Sequence, residues 1–252
     1  MTRHPIVALW SHPRSVSTAF ERIMRSRGDL ACLHEPFMYD YYVHRSTKVM
    51  PHFEAQPEHP VSYAEIRTLI LKKAETGPVF FKDMSYYVMP HILQDQVFAE
   101  RLVDAFLIRD PVASIASYHK LDPEVTLDEI GLEAQWNHYS ALKAAGRNPV
   151  VIRAESVRQD TRGTMAQFWA TVGLPFSEAA FDWQSEKPKD WDQVGGWHGD
   201  VSASKGIRPL TEEEIRAQRE TFEAMAQEHP NMRVHLAHHQ PFYGLLAAEA
   251  LV

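Results

Sequence analysis

Short apolar runs alternate along this chain with longer segments that have the features of helices. The runs are Ile6–Trp10, Leu30–Leu33, Val79–Lys82, Ala105–Arg109 and Pro149–Arg153. Each has the length of a buried strand, and such strands separated by helices are typical of a parallel sheet. The pattern therefore predicts an α/β fold of three layers, with a mostly parallel central sheet and helices on both faces.

Capping residues mark the ends of the intervening helices. A Ser or Thr followed three residues later by Glu forms a capping box, in which each side chain binds a backbone N–H that the helix leaves unpaired. Such pairs occur at Ser62 and Glu65, at Thr126 and Glu129, and at Thr211 and Glu214. The predicted helices are Ser17–Arg27, Ser62–Glu75, Thr126 to about Gly146, Thr161–Val172 with Gly173 as its stop, and Thr211–His229.

Two long segments lack a regular pattern, Glu35–Pro60 and Ser185–Pro209. Irregular segments of this length inside a compact domain are often lids or binding loops. No stretch has the composition of a linker, so we expect residues 1–252 to form a single domain.

Composition narrows the function classes. The chain has 44% hydrophobic and 23% charged residues, as ordinary globular proteins do. Its net charge of −7 argues against general nucleic-acid binding, so an anionic ligand must be held by a local basic cluster. Cys32 is the only cysteine, and neither a membrane span nor a signal peptide is evident. We therefore expect a cytoplasmic protein with no disulfide and no membrane partner.

The first strand–helix junction is a candidate phosphate site. Its residues, Ser11–Thr18, offer hydroxyls, the Arg14 guanidinium and the positive end of a helix dipole. Ser17 has an alternative interpretation, in which it only caps the helix. The G-x-x-x-x-G-K-[ST] sequence of a Walker A loop does not occur there.

The fourth junction offers a second candidate anion site. Arg109 ends a strand, and Pro111 suits the first turn of the helix that follows. Ser114 and Ser117 lie three residues apart and so share one helix face. Arg109 and Ser117 together favour anion binding, although an Arg–Asp pair at a strand end, here with Asp110, is often only structural.

Together the two junctions resemble the PAPS-dependent sulfotransferase family, whose donor is 3′-phosphoadenosine 5′-phosphosulfate (PAPS). Residues Pro13–Thr18 are similar to that family's loop for the 5′-phosphosulfate. Arg109 and Ser117, eight residues apart, match the pair that holds the 3′-phosphate. The resemblance implies a P-loop nucleotide-binding-like fold with PAPS as sulfuryl donor and no metal requirement. The donor-binding residues that it implies are Arg14, Ser15, Val16, Ser17, Thr18, Arg109, Ser117, Lys205 and Gly206.

Further matches point to the bacterial and carbohydrate-type branch of that family more than to the cytosolic arylsulfotransferases. Glu35–Pro36 looks like a Glu-Pro pair common in the former, and Lys82 ends the third strand where the family often has lysine. Residues 202–206 faintly resemble the family's C-terminal basic loop, which also touches the 3′-phosphate. The likeness covers residues 6–157 well and the remainder loosely.

Three positions depart from the family pattern. Val16 stands where the family usually has glycine, so we expect the loop not to adopt a positive φ there freely. Ala19 replaces the tryptophan that stacks on adenine in the arylsulfotransferase branch. Met84 occupies the position of that branch's catalytic histidine.

Sulfuryl transfer needs in-line geometry and positive charge on the transferring group. The predicted catalytic residues are Glu35, Arg14 and Lys82: Glu35 as general base, Arg14 on the phosphosulfate and Lys82 on the bridging oxygen. His34 and His12 are rival bases, and Glu35 has the alternative of a loop carboxylate in an ion pair. The hydroxylated small-molecule acceptor is not identified by the sequence.

Other candidates carry less weight. The His238–His239 pair, with His235 nearby, lacks a recognised metal framework. Trp183, Trp191 and Trp197 are either the wall of an acceptor pocket or plain core. Two alternative functions stay open, a P-loop kinase and a catalytically silent nucleotide-binding or scaffold protein.

Overall fold

The computed structural model describes residues 4–182, 188–197 and 206–251. The strands in these residues are β1 (Ile6–Ser11), β2 (Ala31–His34), β3 (Val79–Met84), β4 (Leu102–Ile108) and β5 (Val150–Arg153). They form one sheet in the order β2-β3-β1-β4-β5, and every neighbouring pair is parallel. The parallel sheet predicted from the apolar runs is confirmed.

Helices connect the strands and complete the two outer layers. The α-helices of the described residues are α1 (Ser17–Ser26), α2 (Tyr63–Lys73), α3 (Ser85–Val88), α4 (His91–Gln94), α5 (Gln96–Ala99), α6 (Pro111–His119), α7 (Leu132–Ala144), α8 (Ala154–Gln159), α9 (Thr161–Thr171), α10 (Glu212–Glu228) and α11 (Asn231–Ala248). Shorter helical segments are a π-helix at Tyr39–His44 and 3₁₀ segments at Asp128–Ile130, Glu178–Phe181 and Lys189–Trp197.

The core lies on both faces of the sheet because successive strand residues point to opposite sides. In β1, Ile6, Ala8 and Trp10 pack into one buried cluster, and Val7 and Leu9 pack into the other. All five side chains are fully buried. The sheet therefore has a hydrophobic layer on each face, as the sequence predicts.

The predicted helix from Thr126 to Gly146 is shorter at its start. The Thr126 backbone N–H does donate to the Glu129 carboxylate at 2.9 Å, so the capping contact forms. It opens only a 3₁₀ turn, because Gly131 adopts φ 83° and interrupts the helix there. The α-helix begins one residue later, at Leu132.

The two segments without a sequence pattern are not irregular throughout. Within Glu35–Pro60 the chain forms the π-helix Tyr39–His44, where Tyr39, Asp40 and Tyr42 are buried. The Asp40 carboxylate accepts the Tyr63 N–H at 3.0 Å, which ties this segment to the start of α2. Within Ser185–Pro209 the structure describes 188–197 and 206–209, and the former contains the Lys189–Trp197 segment.

The last helix, α11, has no counterpart among the predicted elements. Pro241 lies inside it, and an internal proline removes a backbone donor and disfavours a helix. Packing of α11 against α6 and α7 outweighs that cost. None of the described helices is both long and apolar enough to cross a bilayer.

Candidate functional site

The candidate site lies along the carboxyl ends of the strands, where the predicted residues collect. Because the strands are parallel, their carboxyl ends meet at one edge of the sheet. The strand order places Glu35 and Met84, which follow β2 and end β3, on one side of the β1–α1 loop. Arg109, after β4, lies on the other side. The two anion sites predicted from the sequence therefore lie at adjacent strands, β1 and β4.

The β1–α1 loop has a strained backbone at its end. Val16 adopts φ 71° and ψ 10°, the left-handed conformation that glycine would take most easily. The expectation that valine would keep the loop out of a positive φ is thus wrong. A β-branched residue there costs on the order of 1–3 kcal/mol, which the surrounding structure must offset. The Val16 side chain packs against the buried cluster that contains Phe20.

The start of α1 borders the main cavity of the site. The first intrahelical bond runs from the Phe20 N–H to the Val16 carbonyl at 3.1 Å. An α-helix leaves its first N–H groups without intrahelical acceptors, so those of Ser17 and Thr18 lie at the positive end of the helix dipole. Ser17 and Thr18 also line the main cavity of the site. This end of α1 suits an anion.

The two sequence-predicted anion sites touch each other. The Arg14 Nε donates to Ser117 Oγ at 2.9 Å, and Arg14 Nη1 donates to the Trp197 carbonyl at 2.7 Å. Arg109 Nη1 donates to the Arg14 carbonyl at 2.7 Å. Arg14, Arg109 and Ser117 all line the same cavity. The loop after β1 and the helix after β4 therefore form one continuous binding surface.

Sequence reasoning missed one member of this cluster, Arg158 in α8. Arg158 lines the main cavity together with Arg14, Arg109 and Arg208. Burial, then repulsion from Arg158 and more weakly from Arg14, lowers the pKa of Arg109 to about 10. Burial and Arg208 likewise lower the pKa of Arg158. Guanidinium groups that depress one another's pKa values are stabilised by a bound anion.

Glu35 lies at the opposite side of the cavity, in a buried ion pair with Lys82. Glu35 has φ 44°, and its N–H donates to the Lys82 carbonyl at 2.9 Å, which holds the ends of β2 and β3 together. Lys82 is fully buried and does not line the cavity. The structure thus places Lys82 behind Glu35, and not on the cavity surface where the predicted contact with a bridging oxygen would occur.

A second carboxylate extends this buried network. Glu21 of α1 accepts from His34 Nδ1 at 2.6 Å and from Trp191 Nε1 at 2.9 Å, and its Oε2 lies 4.0 Å from Lys82 Nζ. Burial and the Lys82 charge hold the pKa of His34 well below its usual range. His34 Nε2 is 3.9 Å from the Glu35 carboxylate. His34 is therefore a neutral imidazole whose Nδ1 is bound to Glu21 and whose ring lies beside the Glu35 carboxylate.

The other rival base, His12, is fully buried beneath the loop. Its Nε2 accepts the Arg109 N–H at 3.0 Å. Burial, and secondarily the Arg109 charge, lowers the pKa of His12 to about 3. A neutral ring with its acceptor nitrogen occupied is suited to fixing the β4 end and not to taking a proton.

The main cavity, about 390 Å³, combines this charged surface with an aromatic one. Apart from the polar residues described above, its lining includes Met50, Met84, Tyr86, Tyr87, Tyr118, Val194 and Trp197. The Trp197 ring packs edge-on against Tyr118 with centroids 5.3 Å apart, and Trp197 Nε1 donates to the Pro51 carbonyl at 2.8 Å. Of the three candidate tryptophans, Trp197 is cavity wall and Trp191 is core, while Trp183 lies outside the described residues.

Of the remaining predicted site residues, Val16 and Gly206 line the cavity, and Lys205 lies outside the described residues. Ala19, which stands where the arylsulfotransferase branch has tryptophan, also lines the cavity. Ser15 is fully buried and does not line the cavity.

Both histidines of the pair on α11 form hydrogen bonds with other parts of the protein. His238 Nε2 binds Glu133 at 2.8 Å, and His239 Nε2 donates to the Leu127 carbonyl at 2.8 Å. Across residues 4–182, 188–197 and 206–251, no three His, Cys, Asp or Glu side chains converge as metal ligands would.

A parallel sheet with a helix N-terminus and clustered arginines at its carboxyl edge is a P-loop-like α/β arrangement suited to an anion. The sequence profile of the sulfotransferase domain matches residues 5–220. The chain belongs to the sulfotransferase domain family.

Known proteins agree with this assignment at the level of the fold. The sulfotransferase domain of the Synechococcus PCC 7002 olefin synthase superposes with a TM-score of 0.57 at 17% identity, covering 89% of this chain and 96% of that one. The sulfotransferase domain from the curacin biosynthetic pathway superposes with a TM-score of 0.52 at 14% identity, covering 85% and 96%.

Two relatives from Arabidopsis thaliana are named for a different activity. Branched-chain-amino-acid aminotransferase-like proteins 1 and 2 of Arabidopsis thaliana are 25% and 24% identical over 222 and 216 residues, or 82% and 80% of this chain. The chain spans 37% and 36% of the length of these two relatives.

Proposed function

We propose that this protein transfers a sulfuryl group from PAPS to a hydroxyl of a small-molecule acceptor. The observation that carries the proposal is the direct contact between Arg14 and Ser117, with Arg109 bound to the Arg14 backbone. A donor with phosphates at two positions needs two anion sites at a fixed separation. Here the two sites predicted from separate motifs are parts of one surface.

The residues present suit the two ends of this donor. Arg14, Ser17, Thr18 and the start of α1 offer charge and N–H donors to the 5′-phosphosulfate. Arg109, Ser117 and Arg158 offer a second cationic site to the 3′-phosphate. Gly206 lines the same cavity, and we propose that Lys205 contributes there as the family resemblance implies.

The placement of Glu35 at the cavity supports its proposed role in the transfer step. The acceptor oxygen forms a bond to sulfur as the bond from sulfur to the bridging oxygen breaks. The electron pair of the broken bond goes to the 5′-phosphate of the departing adenosine 3′,5′-bisphosphate, whose charge Arg14 stabilises. Glu35 accepts the proton of the acceptor hydroxyl. Lys82 acts through Glu35 in this proposal, because it lies behind that carboxylate.

Calorimetry with adenosine 3′,5′-bisphosphate tests the donor site. We expect it to bind at least tenfold more tightly than adenosine 5′-phosphate, since one further charge-assisted contact is worth about 1.5–3 kcal/mol. ATP with Mg²⁺ is the competing ligand. Tighter binding of ATP–Mg²⁺ would instead favour the kinase alternative.

Turnover with ³⁵S-labelled PAPS and a panel of hydroxylated acceptors tests the reaction. Transfer of label to at least one acceptor is expected. Binding of adenosine 3′,5′-bisphosphate without any transfer or PAPS hydrolysis would favour the catalytically silent nucleotide-binding alternative.

A further inference from the structure

The charged residues that line the main cavity are distributed unevenly along the carboxyl edge of the sheet. Arg14, Arg109 and Arg158 follow β1, β4 and β5, which lie together on one side of the strand order. Glu35 and Met84 mark the β2 and β3 ends on the other side. Neighbouring strands lie about 4.8 Å apart, so the two sides are separated by a distance comparable to a small molecule.

The β2–β3 side is walled by aromatic and apolar groups. Tyr86 and Tyr87 lie in α3, the short helix that follows β3, and their rings pack edge-on with centroids 4.7 Å apart. Tyr118, of the helix that follows β4, and Trp197 form a second edge-on pair in the lining of the same cavity. Met50, Met84 and Val194 complete the wall.

The tyrosines that line the cavity carry no charge near neutral pH. Burial raises the pKa values of Tyr86, Tyr87 and Tyr118 well above their usual range. Among the described residues that line the cavity, the charged side chains are Glu35 and the arginines Arg14, Arg109, Arg158 and Arg208. Of the residues that the structure describes, Glu35 is thus the one charged group that the β2–β3 side presents to a ligand.

We infer that the acceptor is an uncharged, aromatic or otherwise apolar compound that carries a hydroxyl, bound over the carboxyl ends of β2 and β3. This inference rests on the proposed sulfuryl transfer and specifies its acceptor. An acceptor carboxylate would lose its hydration on this side without a cationic partner and would face Glu35. An acceptor ammonium would pair with Glu35 and occupy the group that must take the proton. A sugar would lose water from several hydroxyls against a wall whose polar groups are the tyrosine hydroxyls.

Matched phenols provide the test, with labelled PAPS as donor. The probes are 4-ethylphenol, 4-hydroxyphenylacetate and 4-(2-aminoethyl)phenol, whose substituents are separated from the ring by methylene groups, and methyl β-glucoside as a neutral polyol. We expect kcat/KM for 4-ethylphenol to exceed that for each of the others by a hundredfold or more. Comparable or higher values for the carboxylate, the amine or the glucoside would overturn the inference.

A charge placed on the wall sharpens the test. Met50→Lys puts a cation beside the β2–β3 side, and Val49→Lys, at a side chain that is 88% exposed and does not line the cavity, is the matched control. Met50→Lys should reduce the preference for 4-ethylphenol over 4-hydroxyphenylacetate at least tenfold, and Val49→Lys should leave it unchanged. Equal effects of the two variants would also overturn the inference.

Calorimetry with adenosine 3′,5′-bisphosphate separates this inference from the proposed function. Normal binding with PAPS turnover, but with preference for a charged or sugar acceptor, would refute only the acceptor class. Absence of both binding and turnover would refute the sulfuryl transfer itself, and the acceptor class with it.

Discussion

Arg158→Ala should weaken donor binding without destabilising the protein. Arg158 lies in α8 and lines the cavity with Arg109 and Arg208. Its Nη1 donates to the Arg208 carbonyl at 3.3 Å, a long and weak contact. Its charge also depresses the pKa of Arg109, so the folded protein carries repulsion that an anion would relieve.

The size of the effect follows from these contacts. A hydrogen bond to a charged group contributes about 1.5–3 kcal/mol, so the affinity for adenosine 3′,5′-bisphosphate should fall roughly 10- to 100-fold. Loss of one weak backbone contact is offset by relief of repulsion among the arginines. The urea midpoint should therefore stay the same or rise slightly.

The assay is calorimetry with two ligands and a matched variant. Arg158→Ala should lose affinity for adenosine 3′,5′-bisphosphate but little for adenosine 5′-phosphate, which lacks the 3′-phosphate. Arg162→Ala is the control, because Arg162 lies one turn along the chain, is exposed and pairs with Glu178. The affinity difference should also shrink at high salt, since screening weakens interactions between charges.

Two results would refute this reasoning. Equal losses for both nucleotides would show that Arg158 does not contact the 3′-phosphate. A clear fall in the urea midpoint, together with reduced binding, would show that Arg158 supports the fold.

Three further predictions concern neighbouring residues. Glu35→Gln should lower turnover by about 10²–10⁴ and retain donor affinity, and near-normal single-turnover chemistry would exclude Glu35 as base. Adding Lys82→Met to this variant should restore the stability lost with the buried ion pair but should not restore turnover. Ser117→Ala should weaken the binding of adenosine 3′,5′-bisphosphate roughly tenfold, because it removes the contact with Arg14. Ser114→Ala should leave that binding unchanged, because the Ser114 Oγ donates to a carbonyl of its own helix. Equal effects of the two variants would show that the loss comes from a disturbed α6 helix. His12 stays neutral in the folded state down to a pKa of about 3 but protonates near 6.5 when unfolded, so its contribution to stability is complete above pH 6.5 and is lost as the pH falls. Between pH 7 and 5 the wild type should lose about 2 kcal/mol more unfolding free energy than His12→Gln, which keeps an acceptor for the Arg109 N–H. Equal losses in urea titrations would contradict the shift in the pKa of His12.

The sequence predicts those parts of the fold that depend on a short stretch of neighbouring residues. The apolar runs predict all five described strands, and the Ser62–Glu65 and Thr211–Glu214 pairs form capping boxes at the starts of α2 and α10. These signals depend on neighbouring residues alone. The π-helix at Tyr39–His44 and the helix α11 depend on packing across the chain, which local patterns do not encode.

The candidate site shows the same division. Arg14, Arg109 and Ser117 follow from motifs at strand ends, and the structure brings them into contact. Arg158 belongs to no motif, and its place beside Arg109 depends on β5 lying next to β4. Strand order is a property of the whole sheet, so the sequence of α8 alone gives no signal for it. The position of Lys82 behind Glu35 depends in the same way on the pairing of β2 with β3.

The left-handed valine of the β1–α1 loop also affects the entropy of ligand binding. A glycine at position 16 would let the free loop visit many conformations, and a ligand would have to select one of them. Valine has few allowed alternatives, and its packing against the cluster of Phe20 restricts it further. The unfavourable free energy of the φ 71° backbone is therefore part of the free energy of folding and is not added when an anion binds. Val16 thus preorganises the loop, although valine disfavours the left-handed conformation. Binding of an anion to the loop would then require little further loss of backbone freedom.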